Sequence, residues 1–171
     1  QYQRGRLIIQ PNYQRNYVWD AKKASLLIES ILMDIPIPIV YLAATSDNKI
    51  NVIDGQQRLT SIFSFLEGKF PDDKEFKLTG MQVYRDIRKK KFSELDETLQ
   101  DKIRDYSIRT ITFTAESDPE LQYEIFSRLN TGSVSLNAQE LRNCVYRGKF
   151  NDFIRDLAAD PQFLDLLGLS K

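Results

Sequence analysis

The stretch Val52-Ile53-Asp54-Gly55-Gln56-Gln57-Arg58-Leu59-Thr60 decides the fold, because an apolar, β-branched lead runs into a glycine and then into polar side chains where a helix begins. The first N–H groups of that helix have no intrahelical partners and sit at the positive end of its dipole, so the turn is a place to hold an anion. Arg58 adds a planar fork of donors suited to phosphate. Asp54 reads in three ways: as a helix cap, as the holder of a metal-bound water, or as an acceptor for a sugar hydroxyl. Gln56 and Gln57 read as phosphate contacts or positioners of a water, or as partners for backbone groups. Gly55 is required by backbone geometry on every reading.

Downstream, Leu59, Ile62, Phe63 and Leu66 form one helical stripe that ties the helix to a core and leaves its N-terminus directed at the site. Upstream, a short strand is predicted over residues 7–10, and Asp20 is predicted to cap a helix. In that helix Ala24, Leu27, Ile28, Ile31 and Ile35 recur at three and four residues, with Lys22, Lys23, Glu29 and Ser30 facing outward. Ile35-Pro36-Ile37-Pro38 ends it, and strands follow over residues 39–43 and 49–53 around a turn at 45–48.

Further on, a loop with one short strand at residues 76–78 is predicted, then a helix marked by Leu95, Leu99, Ile103 and Tyr106. A strand over residues 106–113, with apolar contact on both faces, comes next. Asp118-Pro119 starts a helix that stops at Asn130-Thr131-Gly132, and Asn137 with Glu140 starts another in which Cys144 is a small buried residue. A last helix carries Phe150, Phe153, Ile154 and Leu157 and is closed by Pro161. The run Arg88-Lys89-Lys90-Lys91 reads as a solvated face or as a contact to DNA phosphates. These elements make an α+β class, a small mixed sheet with flanking helices and a helical C-terminal part.

With 171 residues the chain predicts a single domain, and 42% hydrophobic and 28% charged residues are ordinary globular values. Lys plus Arg equals Asp plus Glu at 24 each, which removes the basic excess of a dedicated nucleic-acid binder and leaves room only for a local basic groove. Histidine is absent, which excludes Ser-His-Asp and Cys-His catalysis and histidine-ligated zinc, so any catalysis uses carboxylates, amides and arginine. One cysteine allows no internal disulfide and predicts a reducing, cytoplasmic setting. No apolar run reaches membrane-spanning length, so no membrane partner is expected, and a start at Gln1 reads as a part excised from a longer protein.

Four segments in register resemble the N-terminal domain of GmrSD-type, modification-dependent restriction enzymes. They are Pro11-x-Tyr13-Gln14-Arg15-x-Tyr17-x-Trp19; Leu27-Ile28-Glu29-Ser30-Ile31-Leu32 with Ile35-Pro36-Ile37-Pro38; Ile53-Asp54-Gly55-Gln56-Gln57-Arg58-Leu59-Thr60; and Ile125-Phe126-x-Arg128-Leu129-Asn130-Thr131-Gly132 with Leu136-Asn137-x-x-Glu140-Leu141. The resemblance implies a fold similar to the ParB and sulfiredoxin superfamily, with the strand-to-helix motif in a nucleotide pocket. It also implies NTP hydrolysis coupled to DNA restriction in phage defence. In many relatives the cutting centre is a separate C-terminal, histidine-containing nuclease domain, which this chain does not contain, so a nuclease domain or partner subunit and DNA are expected partners of the full-length protein.

The resemblance places Arg15 near the pocket, where a guanidinium binds phosphate or stacks on a base. Tyr17 reads as part of an aromatic wall or as packing, and Asn130 as a second edge of the site or a helix stop. The leading expectation is a nucleotide-binding, NTP-hydrolysing regulatory domain. Asp54, Gln57 and Arg58 are its candidate catalytic groups, and Arg15, Tyr17, Gly55, Gln56, Gln57, Arg58 and Asn130 its candidate nucleotide contacts. Asp54 is the candidate ligand for Mg2+, which phosphates and carboxylates favour as hard oxygen donors. The competing class is a non-catalytic module that recognises modified DNA or a partner protein.

Overall fold

The computed structural model describes residues 6–9, 17–45, 48–114 and 149–169, leaving aside the side chains of residues 149, 151, 152 and 155. The chain forms two compact units, Gln1–Ala115 and Glu116–Lys171. The first is α+β, as the sequence predicts. Its strands β1 (Leu7–Ile8), β2 (Val40–Ala44), β3 (Ile50–Asp54) and β4 (Thr110–Phe113) form one mixed sheet in the order β1-β3-β2-β4. β1 runs parallel to β3, β3 antiparallel to β2, and β2 parallel to β4. Helices α1 (Ala21–Leu32), α2 (Gln56–Glu67) and α3 (Glu97–Arg104) complete the unit, with single 3-10 turns at Arg85–Ile87 and Phe92–Glu94.

Asp20 caps α1 as predicted, its carboxylate accepting from Lys23 N at 2.7 Å. Ala24, Leu27, Ile28 and Ile31 are buried, but the predicted stripe does not reach Ile35, which is 45% exposed. Asp34 turns the chain first. It has a φ of 56°, and the bonds Asp34 N to Ile31 O and Ile35 N to Ser30 O close α1 two residues earlier.

A second correction concerns Glu29, predicted to face outward and in fact 2% exposed. Its carboxylate accepts from three consecutive backbone amides, Gln82 N at 2.9 Å, Val83 N at 2.7 Å and Tyr84 N at 2.9 Å. One turn earlier the buried Ser25 hydroxyl donates to Ala21 O and accepts from Thr79 N at 3.0 Å. A polar stripe of α1 therefore holds the irregular segment 79–84 by its backbone. The periodicity of α1 could not reveal this, because the amides come from more than fifty residues away.

Residues 76–78 form no strand, yet Phe76 and Leu78 are fully buried, and Leu78 pairs through its backbone with Lys89 and Lys90. Phe76 packs edge-on against Phe65 at 5.1 Å and stacks on Phe70 at 4.2 Å. The strand predicted from residue 106 begins only at Thr110, because the Tyr106 hydroxyl is bound between Ile35 O and Ile37 N. β4 lies at the sheet edge, and Ile111 is 43% exposed, so the expected burial on both faces is not found.

Two apolar clusters result, one joining α1, Ile62 and Phe65 of α2, Phe76, Met81 and Phe92, the other joining Val40, Leu42, Val52 and Leu59 between sheet and α2. In the second unit α4 (Lys149–Ala159) is followed by α5 (Pro161–Leu166). Pro161 opens α5 rather than merely closing α4, with Asp160 accepting from Gln162 N and Phe163 N. The helices predicted from Asp118 and Asn137, and Cys144, lie outside the described residues.

Burial disfavours the Glu29 carboxylate, but the amides of Gln82, Tyr84 and Val83 and the charge of Arg88 outweigh it and hold its pKa below the ordinary value. A group depressed in the folded state contributes stability that is present above its unfolded pKa, about 4.3, and lost as pH falls through the folded value. Glu29→Gln is expected to cost about 2–4 kcal/mol at neutral pH, with the gap to wild type narrowing below about pH 4. Urea unfolding between pH 3 and 7 measures both, and a gap independent of pH contradicts the assignment.

Candidate functional site

β3 and α2 are joined by one residue, Gly55, at φ 99° and ψ 7°, a left-handed conformation that side chains beyond glycine rarely adopt. Space makes the same demand. A Cβ on Gly55 would lie 2.8 Å from Val40 Cγ2 and 3.1 Å from Arg58 Nη2. β3 also carries an irregularity just before the turn, since Tyr41 pairs with Asp54 and Leu42 with Val52, leaving Ile53 as an extra residue. Such a bulge re-aims the residue that follows it, here Asp54.

Asp54 is the last residue of β3, and the capping position of α2 is taken by Gly55, so the cap is not its role. Its Oδ2 instead accepts from Arg58 Nη2 at 2.6 Å. The same Nη2 lies 3.3 Å from Ile39 O, while Arg58 Nε is buried with no partner. The two side chains differ in exposure, 14% for Arg58 and 62% for Asp54, so the cation is fixed against the fold and the anion stands in water.

Gln57 is held. Its Oε1 accepts from Val18 N at 2.9 Å and Trp19 N at 3.3 Å, which makes it a partner for backbone groups. One turn along, the Ser61 hydroxyl donates to Gln57 O at 2.7 Å and so accepts from the Tyr17 hydroxyl at 2.9 Å. The Tyr17 ring stacks on Phe70 at 5.9 Å, and burial, opposed by the Ser61 bond and helped by the Asp20 charge, raises its pKa. Residues 17–19 thus lie along α2, with Tyr17 in a packing position. Gln56 is buried at the start of α2.

The structure brings Asp54, Gly55, Gln56, Gln57 and Arg58 together at one end of the sheet and draws Tyr17 to the flank of α2. Arg15 and Asn130 lie outside the described residues. Of the basic run, Arg88 donates to Met81 O and Lys91 pairs with Glu75, so half of it is spent within the fold. Among the described residues, one cavity of about 460 Å³ lies elsewhere, beside Ile37, Tyr106 and Arg109, and another of about 380 Å³ beside Thr60, Phe63 and Phe70.

Sequence reasoning missed Ile39 and Val40. Their shared peptide gives its carbonyl to Arg58 and its N–H to Arg109 O, and the Val40 side chain forms the floor beneath Gly55. Nothing in the local pattern marks them, because the contact arises from strand pairing. Among the described residues no group of three or more His, Cys, Asp or Glu converges to hold a metal ion. No helix among them is long and apolar enough to cross a membrane.

A four-stranded α+β domain whose strand-glycine-helix junction gathers an aspartate, two glutamines and an arginine defines the class. Residues 1–147 match the family described as the GmrSD restriction endonuclease, N-terminal domain, and the chain belongs to that family. Membership places it with the restriction and phage-defence proteins. No curated protein and no solved structure matched the chain in the same comparisons.

Gly55 and Gly68 give a controlled comparison, because both have positive φ but a Cβ on Gly68 would meet nothing within 4 Å. Gly68→Ala is expected to cost about 1 kcal/mol from backbone strain, and Gly55→Ala about 2–4 kcal/mol because Val40 must also move. Denaturant midpoints of the two variants check this, and equal losses would show that Val40 gives way freely.

Proposed function

We propose that this chain is a nucleotide-binding, NTP-hydrolysing regulatory domain of a modification-dependent restriction protein. The observation that carries the reading is the left-handed Gly55 turn, which opens α2 beside the largely buried Arg58 guanidinium. The N–H groups at a helix start and an arginine fork are complementary to phosphate. Family membership supports the restriction setting.

In this reading the amides that begin α2 and Arg58 hold the phosphates, and Arg15 supplies a second cation. Gln57 keeps the helix start in place through Val18 and Trp19. A single carboxylate together with phosphate oxygens is a common setting for Mg2+, so Asp54 fits as its protein ligand, and the ion would supply charge neutralisation there. Catalysis by positioning and charge stabilisation suits a site without histidine. DNA and a nuclease domain or subunit are the partners through which hydrolysis would act, and a ParB-like fold would put the strand-to-helix motif in the same place.

One observation favours the second reading, a non-catalytic module that senses a ligand or modified DNA. The carbonyl oxygen of Gln57, a candidate water-positioning group, is already engaged by the backbone. Phosphate release from ATP, GTP, CTP and UTP with magnesium separates the two. Arg58→Ala and Asp54→Ala, confirmed folded by circular dichroism, are each expected to lower the rate by about a hundredfold or more. Equal background release from all three proteins removes the enzymatic reading.

A further inference from the structure

Resting on the reading of the junction as a phosphate site, the geometry points to Asp54 as a built-in competitor that occupies Arg58 until a polyphosphate displaces it. Arg58 is folded back over its own turn, its Nη2 3.1 Å from the place of a Gly55 Cβ, and that nitrogen is bound by Asp54 Oδ2 at 2.6 Å. A phosphate oxygen seeking the same donor meets a carboxylate already on it. The two hydrogens of that nitrogen are taken by Asp54 Oδ2 and Ile39 O, so an anion can bind it only by displacing one of them, and Asp54 is the one that also repels it.

The exposures decide which one moves. Asp54 is 62% exposed and can rotate into water, whereas Arg58 is 14% exposed and is also held by Ile39 O. The resting pair leaves Arg58 Nε buried without a partner, an arrangement that costs the fold a hydrogen bond. An anion that accepts from Nε as it expels Asp54 would relieve that cost. The competitor also sets the ligand class. A singly bound monophosphate gains little beyond the carboxylate it replaces, while a triphosphate reaches Arg58 and the helix amides together and outcompetes it.

The test is calorimetric titration of the chain with inorganic tripolyphosphate in metal-free buffer, on wild type, Asp54→Asn, Arg58→Gln and the double variant. Asp54→Asn changes an exposed side chain to a neutral one of the same shape, and circular dichroism checks that each protein is folded. It is expected to tighten binding about three- to tenfold over wild type. The same change in the Arg58→Gln background is expected to give no gain, because the competitor acts through that guanidinium. Binding that Asp54→Asn leaves unchanged or weakens overturns the competitor and leaves the phosphate site standing. A gain that persists in the Arg58→Gln background also overturns it, reducing Asp54 to general charge repulsion. Absence of binding by all four proteins overturns the phosphate reading and the competitor with it.

Discussion

The contact of Gly55 with Val40 is the constraint from which the rest of the site follows. β3 can enter α2 through a single residue only if the turn lies flat on β2, and the 2.8 Å left for a Cβ shows how closely it does. This closeness sets the start of α2 against the strand that carries Ile39 and Val40. Arg58, one turn into the helix, is thereby brought to the Ile39 carbonyl. A longer or side-chain-bearing turn would lift α2 from the sheet, separate Leu59 from Val40, Leu42 and Val52, and let the guanidinium swing free.

The far side of α2 is fixed by different means. Ile62 and Phe65 enter the larger cluster, where Phe65 meets Phe76 at 5.1 Å and Phe92 at 5.7 Å. Phe76 and Met81 belong to irregular backbone, which cannot place buried side chains without external support. Glu29 and Ser25 of α1 supply it by binding the amides of residues 79 and 82–84. A buried carboxylate costs desolvation, and here three amides and the charge of Arg88 offset it. α1 thus steadies α2 twice, by packing and by holding the segment that packs beneath it.

What the sequence revealed and what it hid divide along the range of the interactions. The Asp20 cap, the α1 and α2 stripes and the Asp54-Gly55 turn are written in residues that touch near neighbours, and all were legible. Glu29 was assigned to the surface because it lies off the apolar stripe of α1 and a glutamate is normally solvated, and only distant amides make its burial favourable. Phe65 escaped the α2 stripe because that helix is covered on two sides, by the sheet and by the aromatic cluster, so its apolar surface is wider than one line of positions. The candidate site was legible as a list of residue types. Its internal wiring was not, since Gln57 serves the backbone of residues 18 and 19 and Arg58 serves Ile39.

A site that must receive a polyanion needs rigid donors, because donors that reorganise spend binding energy on their own ordering. Here the helix start is fixed by Gly55 on Val40, by Gln57 on residues 18 and 19, and by the Tyr17–Ser61–Gln57 chain of hydrogen bonds. It also needs a resting state in which a largely buried guanidinium is not left as a bare charge, since an unpaired charge shielded from water is strongly unfavourable. Asp54 meets that second need from the solvent side, where an incoming anion can take its place on the cation as the carboxylate returns to water. The proposed displacement therefore keeps the backbone and the cation in place and moves one exposed carboxylate. On the proposed reading the junction is neutral at rest and becomes cationic only once its own anion has been moved aside.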